Sequence, residues 1–316
     1  MNNLPIDVLL TQPVPEAIDA ELLSAYQVHR LYEHDDPQRL LDAVGPRIRA
    51  VVTGGAKGLG NALMDQLPAL EIIAISGIGT DAVDLVHAAE RGIQVTTTPG
   101  VLTADVADLA MGLIISTLRR LGEGERLVRE GLWGTVNLPL ARKVSGSALG
   151  IVGLGAVGKA IARRAAAFDM RIAYHARHEQ PASGYRYEAD LLALARSVDV
   201  LVVAASADGG QVLITADVLD ALGPQGYLIN VARGKLVDEQ ALVEALRERR
   251  IAGAGLDVFV DEPYVPPALR DLNQVSLQPH RGSATLQTRL EMGRMVLDNL
   301  AACFRGEAPP NRVIDL

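Results

Sequence analysis

The stretch GIVGLGAVG at residues 150–158 decides the fold of the second half of the chain. Gly153, Gly155 and Gly158 stand at G-x-G-x-x-G spacing, after the apolar strand pattern ALGIV and before the helical pattern KAIARRAAAFD. In such a unit the first glycine permits a tight turn, the second lets the backbone approach a phosphate, and the third lets helix and strand touch. The stretch therefore predicts a Rossmann domain whose helix N-terminus faces the pyrophosphate of a dinucleotide.

A second glycine-rich stretch, TGGAKGLG at residues 53–60, is similar to the cofactor loop of short-chain reductases. The helical pattern after it is stopped by Pro68 after about two turns. That class of reductase also needs a Tyr-x-x-x-Lys pair, and no tyrosine of this sequence has a lysine four residues on. We favour a loop at a strand end that faces a cleft, with a second nucleotide site as the alternative.

Short apolar runs alternate with helical patterns along nearly all of the 316 residues. This length and rhythm predict two α/β domains, each built on a doubly wound parallel sheet. We predict a flavodoxin-like substrate domain from residues 1–98 and 286–316, with a Rossmann NAD(P)-binding domain at residues 99–285 inserted into it. The last helical pattern of the chain is expected to pack on the first domain.

Composition and charge disfavour some classes of binding partner and indicate a reducing compartment. The net charge is −8 with scattered basic residues, which disfavours nucleic acids and anionic membranes as partners. The single cysteine, Cys303, excludes an internal disulfide. No basic segment opens the chain, and no apolar run approaches the roughly 20 residues that span a bilayer. We expect a cytoplasmic protein without a metal site.

The strand after the glycine helix, RIAYHARHE, bears on the choice of cofactor. A carboxylate at the tip of this strand would accept hydrogen bonds from the adenosine ribose and repel a 2′-phosphate. Here the tip offers Arg177 and His178 instead, and Arg177 can give a charge-assisted hydrogen bond to a phosphate. The pattern predicts NADP(H) over NAD(H); the alternative for Arg177 is a solvated surface arginine.

Titratable residues come after three predicted strands in the second half. Arg233 lies in NVARGKLVDE, Asp257 and Glu262 lie in GAGLDVFVDEP, and His280 lies in LQPHRGSAT. Because the carboxyl ends of parallel strands meet at one edge of a sheet, where ligands bind, these side chains are expected together. Each residue alone has a structural alternative, so the hypothesis rests on the arginine, acid and histidine at successive strand ends.

These motifs resemble the D-isomer-specific 2-hydroxyacid dehydrogenases, especially the glyoxylate, hydroxypyruvate and hydroxyphenylpyruvate reductases. The resemblance extends over GTDAVDL (79–85), TTTPGVLTADVADLAMGL, GIVGLGAVG, NVARG, LDVFVDEP and PHRGSAT. It implies that Arg233 binds the substrate carboxylate, that His280 is the acid/base and that Glu262 orients and tunes it. Residues 1–50 match only in strand and helix pattern, and AASADGG departs from the Pro-Thr pair that is frequent in the family.

The resemblance also implies the remaining contacts. The small domain closes on the large one, and the amides of Ile78 and Gly79 in SGIGTD bind the substrate carboxylate, with TGGAKGLG in the same cleft. Asp257 lies near the nicotinamide carboxamide. The full set of expected cofactor contacts is Gly153, Leu154, Gly155, Ala156, Val157, Gly158, Ala176, Arg177, His178, Val231, Ala232, Asp257 and Gly282.

The sequence thus predicts an NADPH-preferring reductase that converts small 2-oxo acids to D-2-hydroxy acids, with NAD(H) as a second cofactor. Glyoxylate, hydroxypyruvate and an aryl pyruvate are the expected substrates, and a homodimer the expected assembly. Trp133 lies in a segment that reaches a neighbouring active site in related reductases, or it anchors local packing. A cofactor-sensing regulatory protein on the same scaffold, of corepressor type, is the alternative from another functional class.

Overall fold

The computed structural model describes residues 5–207 and 210–313. The chain forms two compact units, one from the described parts of Met1–Leu102 and Ala284–Leu316 and the other from Thr103–Ser283. The domain boundaries predicted from the sequence fall after residue 98 and after residue 285. The assignment of these two domains to substrate and to cofactor stays a prediction.

The first unit holds a parallel sheet whose described strands are β1 (Asp7–Leu10), β2 (Gln27–Arg30), β3 (Ile48–Gly54), β4 (Ile72–Ser76) and β5 (Gln94–Thr96). Its helices are α1 (Glu16–Ala25), α2 (Pro37–Val44), α3 (Asn61–Met64), α4 (Leu85–Glu90) and α12 (Leu286–Phe304). The strand order β2-β1-β3-β4-β5 is the flavodoxin-like order. The final helix, α12, packs on β4 and α1.

Alternate residues of each strand in this unit enter two separate cores, one on each face of the sheet. Leu9, Val51 and Ile73 pack with α2, α3 and α4, whereas Val8, Val52 and Ala74 pack with α1 and α12. A strand that is buried on both faces reads as a continuous apolar run, which is why these strands could be located from the sequence.

The second unit holds the larger sheet, with described strands β6 (Ala148–Val152), β7 (Arg171–His175), β8 (Arg186–Tyr187), β9 (Val200–Val203), β10 (Tyr227–Asn230), β11 (Gly253–Leu256) and β12 (Val275–Leu277). Its helices are α5 (Thr103–Arg119), α6 (Leu121–Arg129), α7 (Ala156–Ala166), α8 (Leu191–Arg196), α9 (Ala216–Leu222), α10 (Glu239–Arg247) and α11 (Pro267–Arg270). The strand order is β12-β11-β10-β9-β6-β7-β8, and every pairing is parallel.

The strand order of the second unit reverses between β6 and β9, as in a Rossmann sheet. Ligands of such sheets bind beyond the carboxyl ends of the strands at this reversal. The turn after β6 contains the glycines at 153, 155 and 158. The predicted doubly wound class is therefore confirmed, although β8, with two residues, was too short to predict. Among the described helices, none has the length and apolar character needed to cross a bilayer.

Candidate active site

The glycine turn after β6 has a different steric reason for each glycine. Gly153 has a φ of 95°, and a Cβ there would lie 2.6 Å from the Cα atom of Ala205, two residues beyond the end of β9. A Cβ on Gly158 would lie 2.1 Å from the Gly153 carbonyl oxygen, so the helix and strand touch. Gly155, the N-cap of α7, has no atom within 4 Å of the corresponding position. The turn is closed where the helix meets the sheet and open where a ligand would approach.

The backbone of this turn supplies hydrogen-bond donors at the start of a helix of 11 residues. In the described part of the chain, the N–H groups of Leu154, Gly155 and Ala156 donate to no protein acceptor. Free amides and the positive end of the α7 dipole both favour an anion, and the absence of a side chain at 155 leaves room for one. These residues fit a dinucleotide pyrophosphate.

The loop after β7 contains the residues predicted to read the adenosine side of the cofactor. Arg177 and His178 are exposed. The loop is fixed at its far end by Gln180, whose N–H donates to the buried Tyr174 hydroxyl at 2.6 Å. The Gln180 side chain also donates from Nε2 to the Leu154 carbonyl oxygen at 3.1 Å. The segment that presents Arg177 is thereby tied to the glycine turn.

The residues predicted to carry out the reaction lie in the segments that follow three neighbouring strands of the second sheet. Arg233 lies after β10, Asp257 and Glu262 lie after β11, and His280 lies after β12. The Nδ1 atom of His280 lies 2.6 Å from Glu262 Oε2. Because an ionised carboxylate only accepts hydrogen bonds, this arrangement places the hydrogen on Nδ1 and leaves Nε2 for proton transfer.

The electrostatics of Glu262 favour its ionised form. Burial raises the pKa of the Glu262 carboxyl, but the hydrogen bond with His280 and the one from Phe259 N–H lower it. The charges of His280 and Arg233 lower it further, and the net pKa lies below the ordinary value. The Phe259 N–H donates to Oε1 at 3.0 Å, so both carboxylate oxygens have partners. A fixed negative charge therefore faces the imidazole ring.

The buried carboxylate of Asp257 shapes the segment that carries His280. It accepts hydrogen bonds from Arg281 N at 2.6 Å and Gly282 N at 2.9 Å, while the Asp257 carbonyl accepts from His280 N at 2.8 Å. Burial raises the pKa of this carboxyl despite the opposing hydrogen bond from Arg281 N–H. His280 has a φ of 51°, a left-handed conformation that is costly for histidine and is held here by these bonds. Its contact with a nicotinamide stays a prediction.

The glycine-rich loop of the first unit is built differently. Thr11 Oγ1 donates to Thr53 Oγ1, which donates to the Gly58 carbonyl, each at 2.7 Å, and all three residues are buried. A Cβ on Gly58 would lie 2.0 Å from the Ala82 carbonyl oxygen, and Gly58 has a φ of 57°. The α3 helix after this loop has only four residues. These glycines allow close packing of one loop on another.

The loop after β4 lies beside this glycine-rich loop within the same unit. A Cβ on Gly77 would lie 3.2 Å from Gly55 N. Ile78 is exposed, and in the described residues the N–H groups of Ile78 and Gly79 donate to no protein acceptor. The loop after β4 therefore presents unpaired backbone amides at the carboxyl edge of the first sheet, beside the glycine-rich loop. Whether Ile78 and Gly79 bind substrate stays a prediction.

Comparison with known proteins identifies the family. Residues 111–282 match the model of the D-isomer specific 2-hydroxyacid dehydrogenase, NAD binding domain. The chain belongs to the D-isomer specific 2-hydroxyacid dehydrogenase family. It is 44% identical over 303 residues to hydroxyphenylpyruvate reductase of Plectranthus scutellarioides, covering 96% of this chain and 97% of that protein. It is 42% identical over 299 residues to 2-ketogluconate reductase of Gluconobacter oxydans, covering 94% and 95%.

Among solved structures, this dehydrogenase is similar to the NADPH-dependent glyoxylate/hydroxypyruvate reductase of Sinorhizobium meliloti in complex with NADP and malonate. The TM-score is 0.90 and the identity 42%, over 98% of this chain and 97% of that chain. The similarity confirms the predicted family and the Rossmann character of the second unit.

Asn230, at the end of β10, is a buried residue of the dehydrogenase that we did not single out from the sequence. Its Nδ2 donates to the Arg233 carbonyl at 2.9 Å, and its Oδ1 accepts from Ala232 N at 3.0 Å. It therefore closes the turn that presents Arg233. The only signal was its place in NVARG, where a polar residue ends a strand pattern that is otherwise apolar.

Exposed apolar side chains in this dehydrogenase concentrate between α6 and β6. Trp133 is 81% exposed and Leu140 is 100% exposed. The same segment exposes Leu132, Val136 and Leu138, and the preceding helix α6 exposes Leu121 and Val128. The alternative that Trp133 anchors local packing is wrong for this chain, because most of its surface is free. Exposed apolar side chains concentrated in one segment favour an interaction surface.

Proposed function

We propose that the protein is an NADPH-preferring reductase of small 2-oxo acids that forms D-2-hydroxy acids. The observation that carries the proposal is the His280–Glu262 pair at 2.6 Å, with Arg233 at the end of the neighbouring strand β10. This is a set of residues that can bind a carboxylate and deliver a proton to a ketone. Membership of the family and the names of its relatives support the same class of reaction.

Each of the three side chains has its own part in the reduction. The Arg233 guanidinium binds the substrate carboxylate in a bidentate manner and polarises the adjacent ketone. His280 gives the proton on Nε2 to the ketone oxygen and regains one from solvent. Glu262 holds the ring through Nδ1 and stabilises the imidazolium by its negative charge. Reduction requires His280 in its protonated form. We therefore expect the rate to fall with rising pH on the alkaline side of the pH–rate profile.

The reduced nicotinamide cofactor supplies the hydride. The glycine turn with Leu154, Ala156 and Val157 would hold its pyrophosphate, and Arg177 with His178 would receive the 2′-phosphate of NADPH. The remaining cofactor contacts that we propose are Ala176, Val231, Ala232, Asp257 and Gly282, with Asp257 near the nicotinamide carboxamide. NADH would bind without the phosphate contact and serve as the weaker cofactor.

In the first unit we assign the free amides of Ile78 and Gly79 to the substrate carboxylate, as a second set of donors. Unpaired N–H groups on a loop at a sheet edge favour a small anion. The neighbouring loop at residues 53–60 would serve the same anion through its exposed backbone. Glyoxylate and hydroxypyruvate are the first substrates to test, with a bulkier aryl pyruvate next. The relatives add 2-ketogluconate to this series.

We further propose a homodimer that works in the cytoplasm. The apolar patch around Trp133 and Leu140 is the surface that a second copy would cover. The free cysteine Cys303 fits a reducing compartment. Light scattering of the native protein and of Leu140→Glu, in which a charge would enter the interface, tests the assembly. A monomeric native protein would refute it.

Turnover of a 2-oxo acid panel with NADPH and NADH tests the function. We expect oxidation of NADPH with at least one substrate, and a loss of about 10²–10⁴ in kcat for His280→Gln because the proton donor is removed. Arg233→Ala is expected to lose about 10²–10³ in kcat/KM. His34→Gln, an exposed histidine of the first unit, is the control. Absence of any turnover that depends on these residues would favour the regulatory alternative.

A further inference from the structure

A second carboxylate reaches the loop that carries Glu262. Glu239 is the first residue of α10, directly after the N-cap Asp238, which accepts a hydrogen bond from Ala241 N at 3.0 Å. Its side chain is partly buried, and Oε1 accepts a hydrogen bond from Val260 N at 3.2 Å. Glu239 thus belongs to the segment after β10 but binds the backbone of the segment after β11.

Two consecutive amides of the second segment hold two different carboxylates. Phe259 N–H donates to Glu262 Oε1 at 3.0 Å, and Val260 N–H donates to Glu239 Oε1 at 3.2 Å. The other oxygen of Glu262 lies 2.6 Å from His280 Nδ1. The two amides belong to adjacent peptide units that share the Cα atom of Phe259, so a displacement of the Phe259–Val260 peptide that moves Phe259 would disturb the acceptor of the imidazole.

The same peptide is confined by the residue after Arg233. A Cβ on Gly234 would lie 2.0 Å from the Phe259 carbonyl carbon and 2.4 Å from Val260 N, so no side chain fits between the two segments. The contact at Gly234 and the hydrogen bond at Glu239 both restrict the Phe259–Val260 peptide, and both residues belong to the segment after β10. One peptide unit thus links the segment of Arg233 with that of Glu262.

The hydrogen bond that Glu239 accepts from Val260 N–H requires an acceptor oxygen and does not require a charge. Burial raises the pKa of the Glu239 carboxyl, Val260 N–H opposes this, and the nearby Asp261 carboxylate raises it again. A carbonyl oxygen remains as acceptor in the protonated acid, as it does in glutamine. Glutamine is therefore a conservative replacement here, whereas leucine keeps the approximate size and loses the acceptor.

We propose that Glu239 is a positioning residue of the reduction: it holds the Phe259–Val260 peptide so that Glu262 stays aligned with His280. The inference rests on the proposed function, because it assigns His280 to the proton transfer. Glu239 acts only through the loop and touches no reacting atom. Arg233 and Asp257 act electrostatically on Glu262 or His280, and neither residue changes in the variants below.

The test is the pH dependence of kcat and of kcat/KM for glyoxylate, or the best substrate of the panel, with saturating NADPH. For Glu239→Leu we expect kcat about tenfold lower near neutral pH and the alkaline limb about one pH unit lower, because the imidazolium loses an aligned carboxylate. Glu239→Gln should keep the native limb and a kcat within about threefold, because it retains the acceptor oxygen. The dissociation constant of NADPH should stay within about twofold in both, because the glycine turn is untouched.

Glu244→Ala is the matched control, since it removes an exposed carboxylate of the same helix whose side-chain partner among the described residues is Gln240. If Glu239→Leu does not fold, as judged by circular dichroism, Glu239→Asp decides, because the shorter side chain retracts the carboxylate. An unmoved alkaline limb in the folded variant overturns the proposal. A uniform loss of rate at every pH with no shift of the limb overturns it as well.

A double-variant cycle separates this inference from the proposed function. In a Glu262→Gln background, Glu239→Leu should cause no further shift of the limb, because the carboxylate that it positions is gone. If Glu262→Gln and His280→Gln leave the rate and the profile unchanged, the proposed catalytic group is wrong. If these two act as expected while Glu239→Leu behaves as the native enzyme, only the role of Glu239 is refuted.

Discussion

The two glycine-rich loops of this chain look alike in sequence and differ in the length of the helix that each one begins. Each ends in a glycine that caps a helix and has open space at its Cβ position: Gly60 before α3 and Gly155 before α7. The α3 helix has four residues and α7 has 11. A single turn adds little dipole and few oriented amides, whereas three turns present both to an anion.

The glycines inside the loops differ as well. Gly58 is required in the first loop because this loop packs on another, against the Ala82 carbonyl. The glycines at 153 and 158 are required because a helix packs on a sheet, which leaves the position between them, Gly155, free. Glycine content alone therefore does not identify a nucleotide site. The length of the adjoining helix and the atoms that a Cβ would meet make the distinction.

The largest effect is expected for a negative charge at the open glycine of the second loop. Gly155→Asp should weaken NADPH binding at least 100-fold, because two like charges about 4 Å apart repel by roughly 4 kcal/mol at an effective dielectric of 20. The fold should not suffer, since the position is open and aspartate is a favourable N-cap. Fluorescence titration measures the affinity, and thermal unfolding measures stability.

Gly155→Asn is the control for shape, because it has the same size without the charge. A much smaller loss of NADPH affinity in this variant would assign the effect of aspartate to electrostatics. Equal losses in the two variants would mean that bulk matters and charge does not. Retained NADPH affinity in Gly155→Asp would show that the second glycine-rich loop does not bind the pyrophosphate.

The corresponding change in the first loop should act on the other ligand. Gly55→Asp places a negative charge beside the free amides of residues 78 and 79, since Gly55 N lies next to Gly77. We expect the KM of the 2-oxo acid to rise about tenfold, as for the loss of roughly 1.4 kcal/mol, with NADPH affinity within twofold. Steady-state kinetics with each substrate varied in turn measure both values. Loss of cofactor binding would instead support the short-chain reductase alternative.

The sequence predicted the strands of both sheets well because they are buried on both faces and read as apolar runs. It missed β8, whose two residues carry no pattern. It predicted that Glu262 and His280 come together, since both lie after strands of one parallel sheet. It did not reveal Asn230 or Glu239, because their roles depend on which backbone amides they meet, and local spacing does not encode those contacts.

A smaller effect is expected at the loop that distinguishes the two cofactors. Arg177→Ala removes an exposed guanidinium, and we expect NADPH to bind about tenfold more weakly, since a charged hydrogen bond contributes about 1.5–3 kcal/mol and solvent screens part of it. NADH affinity should stay within twofold. Arg196→Ala, an exposed arginine at the end of α8, is the control. Equal losses for both cofactors would show that Arg177 does not bind the 2′-phosphate.

The smallest effect concerns the tie between that loop and the glycine turn. Gln180→Leu removes the hydrogen bond from Nε2 to the Leu154 carbonyl but leaves the bond between Gln180 N and the Tyr174 hydroxyl. Losing a bond of about 1 kcal/mol predicts an affinity for NADPH about fivefold weaker, with NADH less affected. The same titrations measure this, and the ratio of the two affinities is the relevant quantity.

The double variant Arg177→Ala/Gln180→Leu shows whether Gln180 acts through Arg177. If the tie only holds the arginine in place, Gln180→Leu should leave the ratio of NADPH to NADH affinity unchanged once the arginine is absent. Additive effects would instead mean that Gln180 shapes the glycine turn itself. In that case the second loop, unlike the first, depends on a side chain from outside it, and the two loops differ in their support as well as in their helices.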